Sequence, residues 1–104
     1  MLIIILSAIM STLTLKVVPA HCFEPCTIRY TITIAEVENV KDVCIWLDSE
    51  GFGRSSCWPP HARTIDTQVK DVPAGYYIAK AAIQRVGGVA EWSAEHHIQV
   101  LSSR

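Results

Sequence analysis

Asp71-Val72-Pro73-Ala74-Gly75-Tyr76-Tyr77-Ile78-Ala79-Lys80-Ala81-Ala82-Ile83 is the stretch on which the reading of the fold turns. A tight turn feeds a strand with two unlike faces: Tyr77, Ala79, Ala81 and Ile83 on one, and Tyr76, Ile78, Lys80, Ala82 and Gln84 on the other. Successive side chains of a strand point to opposite sides, so this pattern belongs to a strand covered mainly on one side. It predicts a buried Tyr77. The small alanines beside it leave room for bulky side chains from a facing sheet, with Ile28, Ile32 and Ile45 as the candidates.

Working outward, the same alternation recurs. Ile28, Tyr30, Ile32 and Ile34 oppose Thr27, Arg29, Thr31 and Thr33, and Val43, Ile45 and Leu47 oppose Cys44 and Trp46. The stretch from Thr64 to Lys70 is extended through Ile65 and Val69, and His96-His97-Ile98-Gln99-Val100-Leu101 reads as the last strand. Glu36 to Asp42 is a connection, and Trp58-Pro59-Pro60-His61 cannot lie in a central strand because neither proline donates to a ladder. No helical periodicity and no repeat appears after residue 20. The fold class is therefore all-β: a small antiparallel β-sandwich of about six or seven strands.

Two glycine turns set registers. A two-residue loop at Glu50-Gly51 pairs Ser49 with Phe52, Asp48 with Gly53, and so on out to Cys44 with Cys57. That last pair falls where opposed Cα atoms are about 4.5 Å apart, within reach of a disulfide, and it leaves Cys22 for Cys26. A shift of the turn by one residue breaks the argument. Reflection about Gly87-Gly88 pairs Arg85 with Ala90 and Ile83 with Trp92.

The first twenty residues differ from the rest. Leu2-Ile3-Ile4-Ile5-Leu6 opens an apolar run through Ile9, Met10, Leu13 and Leu15, and Val18-Pro19-Ala20 offers compact residues at a cleavage site. Residues 1–20 are expected to be a signal peptide and residues 21–104 the sandwich domain. Lys16 and Pro19 cut the run short of the roughly 20 residues that span a bilayer, so no stable membrane insertion is expected after cleavage. The remaining 84 residues, 21 to 104, carry all four cysteines and eight Lys/Arg against ten Asp/Glu, a formal charge of −2. A small domain with an even cysteine count fits a secreted chain stapled by two disulfides. Its weak, scattered charge gives no electrostatic case for nucleic acid.

Asp71 to Ile83 resembles the corner of immunoglobulin-like and fibronectin-III-like sandwiches, where a glycine turn precedes a tyrosine that opens the penultimate strand. The resemblance implies that Tyr77 is the corner tyrosine, with its hydroxyl on nearby backbone. Ala79 stands where an antibody-type domain has its second cysteine, so a link of Cys44 to Cys57 within one sheet would replace the inter-sheet disulfide. Cys44, Cys57 and Pro73-Ala74-Gly75 are also loosely similar to small Ig-like domains attached to secretory-pathway glycosyltransferase-type proteins.

No catalytic constellation emerges. His96 and His97 are neighbours on a strand and face opposite ways, so no metal site is expected from them. No serine sits in a nucleophile-elbow context, and paired cysteines offer no thiolate, so neither enzyme chemistry nor a cofactor is expected. Phe52, Arg54, Trp58 and His61 are the expected binding residues, because aromatics and arginine dominate interface hot spots. The other reading of Trp58 is a lid folded over the sheet edge. The sequence thus points to a secreted, noncatalytic module that recognises a protein or a glycan. Alternatives are an inhibitor or effector acting through Trp58-Pro59-Pro60-His61, and the first domain of a glycosyltransferase-like enzyme.

Overall fold

The computed structural model describes residues 13–103. In chain order the strands are β1 (Leu13–Val18), β2 (His21–Phe23), β3 (Cys26–Ile34), β4 (Val40–Ser49), β5 (Phe52–Trp58), β6 (Thr64–Val72), β7 (Gly75–Arg85), β8 (Ala90–Trp92) and β9 (His96–Leu101). They form two sheets, β1-β3-β6 and β2-β9-β7-β4-β5, with β8 paired to β7. The fold is the expected all-β sandwich, with nine strands among the described residues in place of six or seven. No helix in them is long and apolar enough to cross a membrane.

Period-two patterning builds the core. Ile28, Tyr30, Ile32 and Ile34 of β3 face Val43, Ile45 and Leu47 of β4 and Tyr77, Ala79, Ala81 and Ile83 of β7, all of them buried. Tyr30 crosses the space between the sheets and donates its hydroxyl to the Trp46 carbonyl at 2.8 Å. Tyr77 is only 2 % exposed, and its hydroxyl donates to the Pro73 carbonyl at 2.7 Å, which is the corner bond that the resemblance implied.

The β4–β5 hairpin has the expected register, with Ser49 opposite Phe52 and Cys44 opposite Cys57. Gly51 takes φ +79° to close it. Both disulfides are present: Cys44–Cys57, with Cα atoms 4.1 Å apart, and Cys22–Cys26.

The β7–β8 register is a correction. Gln84 lies opposite Ala90 and Ala82 opposite Trp92, one residue away from the pairing expected about Gly87-Gly88. The turn runs from Arg85 to Gly88, closed by Gly88 N to Arg85 O at 3.1 Å with Gly87 at φ +70°, and Val89 follows as an extra residue. Because side chains alternate, that single step places Trp92 on the outer face.

Residues 13–18, expected to lie in a leader, form β1. It pairs with β3 from Leu13 opposite Ile34 to Val18 opposite Arg29, and it buries Leu13, Leu15 and Val17. Pro19, which has no amide hydrogen for either ladder, marks the crossover to the second sheet, where β2 runs parallel to β9.

Candidate functional site

The register of β5 decides what its expected binding residues do. Phe52, Arg54 and Trp58 lie opposite Ser49, Leu47 and Val43, and Leu47 and Val43 belong to the buried face. The Phe52 ring meets Tyr77 edge-on at 5.4 Å. The Arg54 guanidinium lies 5.3 Å over that ring and donates to the Lys70 carbonyl at 3.1 Å. Lys70 belongs to a bulge in β6, where the pairing shifts between Cys26 opposite Val72 and Ile28 opposite Val69, and where Asp71 takes φ +59°. Arg54, stacked on Phe52, thus ties the β5 edge of one sheet to the β6 edge of the other. Trp58 is half-buried against the core, while Arg54 on β5 and His61 in the connection 59–63 are exposed. Of the four, Phe52 and Arg54 are brought into contact at the start of β5, and Trp58 ends that strand beside the connection that carries His61.

Three connections meet at the end of the sandwich where His61 lies. Ile34 N donates to Arg63 O at 2.9 Å, and Val86 N to Asn39 O at 2.7 Å, which brings together segments 35–39, 59–63 and 86–89. Arg85 holds this end in place. Its Nε pairs with Glu91 at 2.8 Å, while its Nη1 donates to the carbonyls of Glu36 and Glu38, each at 3.1 Å. Gln84 Nε2 donates to Gly88 O at 2.7 Å, and Ala81 N donates to Ser93 Oγ at 2.9 Å.

This firmly held hairpin carries apolar side chains into solvent. Val86 is 67 % exposed, Val89 80 % and Trp92 53 %. Trp92 packs on Trp46 at 4.9 Å between centroids, and Lys80 Nζ lies 5.0 Å over the Trp92 ring. Tips of turns are ordinarily polar, so two valines flanking a Gly-Gly pair are a signal that residue-type matching to hot spots passed over. Trp92 was missed through its register.

Further along the same outer face, a shallow groove of about 460 Å³ is lined by Asp48, Tyr76, Ile78, His97 and Gln99, among others. Gln99 Nε2 donates to the Tyr76 hydroxyl at 3.0 Å. Burial pushes the Tyr77 phenol up, offset in part by the Ser49 side chain and reinforced by Glu24. Burial, with the Asp48 charge adding to it, pushes Tyr30 up as well. Among the described residues no three His, Cys, Asp or Glu side chains come together in a way that could hold a metal ion.

No protein-family model matches the sequence, and no curated protein matches it. Among solved structures the chain is similar to the PKD domain of an M14-like peptidase from Thermoplasmatales archaeon SCGC AB-540-F20, with a TM-score of 0.62 at 13 % identity. The match covers 88 % of this chain and 94 % of that one. At such low identity the likeness speaks for the fold: two antiparallel-rich sheets, a tyrosine corner and a first strand divided between the sheets make this chain an Ig-like β-sandwich.

Proposed function

We propose that this chain is an extracellular, noncatalytic binding or accessory module that engages a protein partner through the 86–89 hairpin and the adjoining Trp92–Trp46 surface. The observation that carries this reading is the hairpin itself. It is held by an ion pair and several side-chain bonds, yet it presents Val86, Val89 and Trp92 to water. Order of that kind lowers the entropy lost on docking, and exposed apolar groups gain free energy when a partner covers them. Two disulfides support a site of action outside the reducing cytosol. The similar PKD domain is part of a peptidase, which supports the accessory sense of the reading.

The test uses the immobilised domain and extracellular extract. Val86→Ser with Val89→Ser should keep the melting temperature within about 3 °C of wild type while partner capture falls by roughly tenfold or more. Trp58→Ala should do the reverse, because Trp58 packs on the core. Unchanged capture by the double-serine variant would remove the hairpin from the reading. Exposed Pro59 and His61 in the 59–63 connection, at the same end, favour a second reading as an inhibitor or effector loop. Loss of capture in His61→Ala would then single it out.

A further inference from the structure

Residues 13–20 invite two readings that exclude one another. Val18-Pro19-Ala20 has the pattern that ends a leader, while the fold uses the same residues as a strand and a crossover. We infer that the fold governs: the working domain includes β1, and any cut that matures the chain falls N-terminal to Leu13, not between Ala20 and His21.

The side-chain pattern of β1 is the first support. Leu13, Leu15 and Val17 point into the core, while Thr14, Lys16 and Val18 face out. A leader needs only continuous apolarity, whereas a half-buried strand needs this alternation. Lys16, awkward within a leader's apolar run, sits on the outer face opposite Thr31. The second support is what β1 covers. It pairs with β3 over six residues, so its removal would bare a sheet edge and uncover the inner row that includes Ile32 and Ile34. The crossover is the third. Ala20 O accepts the Gln99 amide at 2.8 Å, and His21 is the residue paired with Gln99. A cut at 20–21 would therefore sever the chain between two groups that hold the same residue of β9.

The inference can be tested on the full chain refolded in vitro, where no secretory step intervenes. Leu15→Asp should lower the melting midpoint by about 15 °C or more, or abolish the transition. Lys16→Asp, on the same strand but the outer face, should stay within about 3 °C of wild type. If both variants melt with the wild type, β1 is not part of the fold and the inference is overturned. N-terminal sequencing of the folded, disulfide-bonded product from a eukaryotic secretory host supplies the second measurement. A start at or before Leu13 is the expected result; a folded product that begins at His21 with the stability of the longer chain would overturn it.

Discussion

Tyr30 has no exposed surface, and its hydroxyl is still satisfied by the Trp46 carbonyl across the sandwich. Tyr77 is satisfied closer to home, by Pro73. Truncating either to phenylalanine should cost about 1–2 kcal/mol, since a partly buried acceptor loses its donor. Both phenols are pushed up from their ordinary value, chiefly by burial. The folded state therefore holds its protons after the unfolded chain, near pH 10, has begun to lose them. Stability from this source is fully present below about pH 10 and falls as pH rises beyond it. Urea midpoints measured from pH 7 to 11 should be level and then decline. The decline should be shallower in Tyr30→Phe; an identical slope in that variant would show that its phenol does not govern the alkaline limb.

Among the elements, the β4–β5 hairpin is tied twice, by its two-residue turn and by Cys44–Cys57. Closing so short a loop contributes about 3 kcal/mol in the chain-entropy account. The double variant Cys44→Ala, Cys57→Ala should lower stability by about that amount, read from guanidinium midpoints; a loss well under 1 kcal/mol would mean that the hairpin persists in the unfolded chain. This register was legible because the two-residue loop, closed at Gly51, and a cysteine pair gave the same count. The β7–β8 register was not, because a turn closed at Gly88 and followed by Val89 cannot be told from one centred on Gly87-Gly88 by composition. β1 stayed hidden because its alternation of Leu, Thr, Leu, Lys and Val continues an apolar run that has no alternation of its own. The roles of Phe52 and Arg54 were within reach. The same register that paired the cysteines sets Arg54 opposite Leu47 and so turns it toward the facing sheet. Residue type, which marks both hot spots and braces, gave no such direction. The surface at Val86, Val89 and Trp92 required the turn geometry, which only the fold supplies.

For the whole molecule, the direction of travel of the chain matters. β1 starts at the end where segments 35–39, 59–63 and 86–89 gather, with Leu13 opposite Ile34. β9 finishes at the opposite end, where Leu101 neighbours Phe23. β2 and β9 run side by side in the same direction, joined from His21 opposite Gln99 to Phe23 opposite Leu101. If tension were applied between residue 13 and residue 103, it would drag these two strands past each other along their length, so that their hydrogen bonds would bear load together instead of opening one at a time. Pulled in that direction by force spectroscopy, the domain should resist more strongly than when gripped at Gly75 and residue 103, where the antiparallel β7–β9 ladder would unzip bond by bond from its open end. Equal rupture forces in the two geometries would show that the parallel pair bears no load. A higher force along the first direction would make the short β2 strand, too irregular to read from Cys22-Phe23-Glu24-Pro25-Cys26, a mechanical latch that keeps the sandwich shut under strain from its own ends.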